Sequence, residues 1–155
     1  MSRKVKYGII NPTYPIVTLD AMPIAASQAF KAKSGRFVTK DASGNYAISV
    51  ATDTQIAGYV DCGDFTSSSD AAADKLPVIV DLNAIFEIPV DETITATSLK
   101  ALIGKTCDLV VNSGIQQADI GASATDVIKI VGGDVDEQTV YVMINPMKFY
   151  TAGVA

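Results

Sequence analysis

From Gly35 onward the chain is cut into short apolar runs of four to eight residues, separated by clusters of Gly, Asn, Asp, Ser and Pro. Such runs fall at 36–40, 46–50, 55–62, 76–82, 85–90, 106–111, 115–118, 125–131 and 139–144. They are rich in Val, Ile, Phe and Tyr and are too short for ordinary helices, so the spacing predicts strands joined by tight turns. Phe86, Ile88 and Val90 alternate with Glu87 and Pro89, which puts the first three on one face of a strand. The residues at 41–45 and 112–114 have the composition of turns. Gly58, inside a strand pattern, marks a bulge or a close backbone approach. Pro77 and Pro89 cannot donate to a ladder, so each belongs at a strand end, an edge or a bulge.

One stretch has helical spacing instead. Leu99, Leu102 and Ile103 make an i, i+3, i+4 stripe at about 97–103. Thr95 or Thr97 can cap it, Gly104 stops it, and Lys100 and Lys105 suit its C-terminal end. The fold class expected is mainly β, a compact small β-barrel or β-sandwich with about eight short strands, one short helix and an extended N-terminal arm. At 155 residues the chain is one domain by length and can bury about 70% of its unfolded surface. Its apolar share is 48%, made mostly of small residues with no Trp, which allows either a filled core or a surface that packs on partners. The loop at 63–75 holds small polar residues and alanines and is expected to be exposed and mobile.

Charge is divided unevenly along the chain. The first forty residues hold seven of the twelve basic side chains and one acid, Asp20, a net of +6; residues 41–155 hold five basic and sixteen acidic ones, a net of −11. Pro12, Pro15 and Pro23 bias the leader toward extended backbone. The division expected is an arm at 1–23, a body at 24–146 and a tail at 147–155, with the Ala-rich piece at 24–34 either a short helix or a strand. Tyr7 to Pro12 interrupts any apolar stretch behind the first basic residues, so the leader does not read as a secretory signal. No run reaches the ~18–20 apolar residues of a membrane span. The expected place of synthesis is a cytoplasm, with no membrane partner.

The residues offer little chemistry. There is no histidine, which removes the commonest general base and metal ligand. Cys62 and Cys107 read as buried thiols, their pairing left open by the sequence. Asp134, Asp136 and Glu137 lack the spacing of a calcium loop and read as a solvated turn. Gly132-Gly133 is followed by no helix and no Lys-Ser/Thr pair, so it is no phosphate cradle. Catalytic, cofactor-binding and metal residues are therefore expected to be absent, and the chain is not read as an enzyme. The acidic body argues against nucleic acid as a partner. The candidate contact arm is Arg3, Lys4, Lys6, Tyr7, Ile9, Ile10, Tyr14 and Ile16, and the candidate basic docking face is Lys33, Arg36 and Lys40.

The layout Gly35-Arg36-Phe37-Val38, Gly58-Tyr59-Val60, Leu76-Pro77-Val78-Ile79-Val80, Ile85-Phe86-Glu87-Ile88-Pro89, Leu99 to Lys105, Cys107-Asp108-Leu109-Val110 and Val140 to Pro146 resembles the capsid decoration, or cement, proteins of tailed bacteriophages. The resemblance is one of pattern over residues 35–146. It implies a small β-barrel or β-sandwich on the outer capsid surface of a virion, often a homotrimer, with the major capsid protein as partner and an N-terminal arm that ties subunits together. It carries no catalytic residues. The leader and the 63–75 loop are long for the smallest members. The same composition suits another phage structural subunit, in a tail tube, collar or head-fibre base. A small ligand-binding β-barrel is the third reading; the lack of Trp and the strand positions of Tyr46, Tyr59 and Tyr141 weigh against a sugar site.

Overall fold

The alternating runs form strands wherever they were expected, and four further strands appear between and before them. The structure, a computed structural model, describes residues 8–9 and 16–153. In chain order the elements are β1 (Gly8–Ile9), β2 (Thr18–Pro23), β3 (Ala29–Phe30), β4 (Phe37–Lys40), β5 (Tyr46–Ile48), β6 (Gly58–Val60), β7 (Phe65–Thr66), β8 (Lys75–Ile79) and β9 (Phe86–Pro89). They continue with α1 (Ala96–Leu102), β10 (Thr106–Asn112), β11 (Ile115–Asp119), β12 (Ile128–Asp134), β13 (Thr139–Ile144) and a 3-10 turn (Pro146–Lys148). A six-stranded sheet has the order β1-β9-β13-β12-β10-β11, a five-stranded sheet the order β2-β8-β6-β4-β5, and β3 and β7 pair alone. All named strand pairs are antiparallel. The arrangement is sandwich-like. Of the two expected architectures, the closed barrel is not formed among the described residues; a single parallel bridge, Ile24 to Tyr46, links the two ends of the curled five-stranded sheet.

Period two explains how the five-stranded sheet serves two cores at once. Phe37, Tyr59 and Ile79 face the main core with Phe86, Ile88, Leu109, Ile128, Ile130 and Val142 of the six-stranded sheet. Their neighbours Val38, Val60 and Val78 face the other way, into a smaller core closed by Ile24, Phe30 and Tyr46. Gly58 is required where β6 meets β8: a Cβ there would stand 2.5 Å from Val78 Cγ1 and 2.7 Å from the Ile79 carbonyl oxygen. The expected close backbone approach is thus found.

The helix begins where Thr95 caps it. The Thr95 side chain accepts a hydrogen bond from the Ser98 amide at 3.1 Å, and Ser98 Oγ accepts one from the Thr95 amide at 2.8 Å. Leu99 and Leu102 pack on the main core. Ile103 lies one residue past the helix and is 52% exposed, so it is not part of the expected apolar stripe. The hairpin between β10 and β11 turns on Ser113 (φ 51°) and Gly114 (φ 76°), a two-residue turn of the kind favoured by strand twist.

Three segments are tied to the body. The parts of the leader that are described belong to the sheets: β1 pairs with β9 through Gly8 and Ile9, and β2 pairs with β8. Ile9 and Ile16 pack against the main core. The tail also joins the body as far as Tyr150. Asn145 Oδ1 accepts from the Met147 amide at 3.1 Å, so Asn145-Pro146 opens a 3-10 turn rather than ending the fold. The Ile56 amide then donates to the Lys148 carbonyl, and the Tyr150 amide to the Ile56 carbonyl, both at 2.8 Å. The 63–75 loop is mostly exposed but is stitched down: Phe65 packs on the smaller core, and the buried Ser67 hydroxyl accepts from the Gln28 amide and donates to the Ala25 carbonyl, each at 2.7 Å.

Candidate docking surface

Buried polar side chains are spent on holding the fold. Arg36 is only 4% exposed. Its Nε donates to the Val60 carbonyl at 3.1 Å, and Nη1 donates to the carbonyls of Ala32 at 3.0 Å and Lys31 at 3.1 Å. Its guanidinium lies 5.2 Å from the centroid of the Tyr59 ring. Arg36 therefore shapes the 31–34 turn from inside and does not line a docking face as expected. Glu87 accepts from Thr139 Oγ1 at 2.7 Å inside the main sheet. Gln116 joins the two sheets: its Oε1 accepts from the Phe37 amide at 2.8 Å, and its Nε2 donates to the carbonyls of Ser49 at 2.9 Å and Phe37 at 3.0 Å.

Asp108 organises the turn before β12. Its carboxylate accepts the backbone amides of Thr125 and Asp126 at 2.8 Å and of Ala124 at 3.0 Å. Burial by itself would raise this carboxyl, but the amides of Asp126, Thr125 and Ala124 outweigh it and hold its pKa below the ordinary value. Asp119 moves the other way, raised first by burial and then by the Asp91 carboxylate beside it. A lowered folded-state pKa gives stability that is present above the unfolded pKa, about 4, and is lost as pH falls through the folded one. The difference in Tm between the wild type and Asp108→Asn is therefore expected to be widest above pH 4 and to shrink below it. A difference that stays constant from pH 6 to pH 2 would refute this role for Asp108.

Both cysteines are free. Burial, followed by the charges of Asp108, Asp119, Asp91 and Asp126, pushes the Cys107 thiol up to about 12, which keeps it protonated and unreactive near neutral pH. Among the described residues no three His, Cys, Asp or Glu side chains form a group suited to a metal ion. No helix among them is long and apolar enough to cross a membrane.

The surface offers more than the interior. Val17 (57% exposed) and Leu19 stand out from the start of β2, an edge strand of the five-stranded sheet, and Met147 is 87% exposed. Leu19 also lines a groove of about 270 Å³ with Lys40, Tyr46, Ala57, Val80, Phe149 and Tyr150. Lys40 Nζ lies 5.6 Å from the Tyr46 ring centroid and 5.5 Å from that of Tyr150. A second hollow, about 440 Å³, lies beside the β3–β7 pair between Lys31, Phe65 and Asp64. Asp64 is engaged there, its Oδ1 accepting the Ala32 amide at 2.7 Å.

The expected site residues are thus scattered. Arg3, Lys4, Lys6, Tyr7, Ile10 and Tyr14 lie outside the described residues. Ile9 and Ile16 are half-buried against the core. Lys33 is exposed, Arg36 is buried, and Lys40 is half-buried in the groove wall. Leu19, Phe149 and Tyr150 were not singled out from the sequence; the aromatic pair so close to the C-terminal end of the chain was the available signal. No protein-family model matches the chain, and no curated protein matches it.

Proposed function

We propose that the chain is a structural virion protein that binds the outer surface of a phage capsid and stabilises contacts between major capsid protein subunits, acting as a homotrimer assembled in the host cytoplasm. The observation that carries the reading is the exposed apolar surface around β2, where Val17, Leu19 and the aromatic groove adjoin. Apolar surface of this kind on a β module favours a protein partner. Two features agree with it. The basic excess of the first forty residues, apart from the buried Arg36, suits an acidic protein surface, and the sequence layout resembles the decoration proteins. Many modest contacts, repeated over a shell, then act together because each bound copy raises the effective concentration of the next contact.

The test is made on particles. Particles assembled with this chain are expected to carry it in a fixed ratio to the major capsid protein and to survive heating that disrupts particles without it. Absence of the chain from purified particles overturns the reading, and equal heat tolerance overturns the stabilising role.

A further inference from the structure

We infer that the groove beside β2 takes an extended segment of the partner protein, with an apolar side chain seated between Leu19, Val80 and Phe149 and a carboxylate paired with Lys40. The identity of the partner rests on the docking reading above; the chemistry of the groove stands on its own geometry.

Lys40 is the centre of the argument. Among the described residues its ammonium group is held by two ring faces, those of Tyr46 and Tyr150, and by no carboxylate. Ring faces attract a cation through their quadrupole and fix its position. They engage at most two of the three N–H donors of the ammonium and leave one available to an oxygen acceptor. A half-buried cation positioned in this way is complemented by an anion, and a charge-assisted bond to a carboxylate is the strong form of that contact. The rest of the wall, Leu19, Ala57, Val80 and Phe149, is apolar. One face of the groove therefore asks for a hydrocarbon and one point in it asks for a negative charge.

Size and neighbourhood select the kind of occupant. At about 270 Å³ the groove lies at the lower edge of the ~300–1,000 Å³ of typical small-molecule sites. Its place beside a sheet edge suits side chains delivered by a segment. Leu19 belongs to β2, the edge strand, so the groove and a sheet edge adjoin. An extended segment laid along such an edge gains backbone hydrogen bonds, and its alternate side chains point into the groove. An apolar residue and an acid two positions apart lie on one face of such a segment. The edge is also guarded against indiscriminate pairing: the register shifts between Leu19 and Met22, Ala21 is at φ 54°, and Asp20 is exposed. An arriving segment is thus confined to the Val17–Leu19 end, beside the groove.

The experiment uses the full chain and a short synthetic strand peptide with Leu and Glu two positions apart, alongside the same peptide with Gln in place of Glu. Methyl NMR shifts report binding at Leu19, Ala57 and Val80. The Glu peptide is expected to bind about fivefold more tightly than the Gln peptide, as for a partly screened ion pair. In Lys40→Met, which keeps an apolar stem, that ratio falls to about one while the Gln peptide binds as before. Equal affinities of the two peptides for the wild type, or shifts confined to other methyls, overturn the inference. A particle-binding arm separates it from the docking reading. Peptide discrimination without any particle binding sinks the capsid reading and leaves the groove. Lys40→Met bound to particles as fully as the wild type sinks the groove and leaves the capsid reading.

Discussion

Gln116→Leu is expected to destabilise the protein by about 2–6 kcal/mol, enough to lower the midpoint of urea unfolding substantially. Leucine is no smaller in volume than glutamine, although it branches one carbon earlier, so the main loss is of hydrogen bonds. Gln116 is 1% exposed and sits on β11, yet its side chain satisfies the backbone where β4 begins. With leucine in its place the Phe37 amide and the Ser49 carbonyl lose their hydrogen bonds to Gln116, both in fully buried residues. The Phe37 carbonyl keeps the Ser49 amide at 3.0 Å. Each buried group left unpaired costs about 1–3 kcal/mol, and two of them give the range stated. The neighbouring change Gln117→Leu supplies the contrast. Its Nε2 donates to the Val90 carbonyl at 3.1 Å from a half-buried position, which is worth about 1 kcal/mol. Equal unfolding midpoints for the two variants would show that Gln116 does not join the sheets. The contact leaves no room for a side chain opposite it: a Cβ on Gly35 would stand 2.5 Å from Gln116 Oε1.

That joint shows where reading the sequence stopped. Alternation along a strand is local, so Phe37 against Val38 and Phe86 with Ile88 announced their faces before any partner was known. The Thr95 cap and the turn at Ser113-Gly114 are local too, and both lie where expected. The burial of Arg36 is not local. The carbonyls of Lys31 and Ala32 are near in sequence, but the Val60 carbonyl and the Tyr59 ring come alongside only after β6 lies beside β4. A charge count therefore put Arg36 on the surface with Lys33 and Lys40. The leader shows a further limit. Proline-rich, β-favouring residues specify extended backbone, and a free arm and an edge strand share that backbone. What distinguishes them is the partner, here Val78 and Ile79 for β2 and Phe86 and Glu87 for β1. Strands of two residues, such as β3 and β7, span a single period and so show no alternation. The groove beside β2 was hidden for the same reason: Leu19, Lys40 and Tyr150 meet only through the curl of the sheet and the path of the last turn.

Phe86→Ala is expected to cost about 3–5 kcal/mol, the range for truncating a fully buried phenylalanine. Phe86 lies on β9 and meets two rings from the opposite sheet. It stacks on Tyr59 with centroids 4.2 Å apart and planes 18° apart, and it meets Phe37 edge-on at 5.3 Å. Phe37 and Tyr59 are themselves edge-on at 4.9 Å. All three are essentially unexposed, so the trio is a fully buried contact between the two sheets. Its worth has two parts that can be separated. Most is burial of ring surface, which Phe86→Leu largely keeps; that variant should therefore lose much less than the alanine one. The remainder is ring-on-ring geometry, about 0.5–1.5 kcal/mol per pair beyond area. A double-mutant cycle with Phe37→Leu and Phe86→Leu should return a coupling of that size, because the two rings touch and each change removes the same contact. Additive losses in that cycle would mean that the sheets are held by buried area alone. An alanine variant within about 1 kcal/mol of the wild type would contradict the sandwich packing itself, since no small shift of neighbours replaces a buried ring between the two sheets.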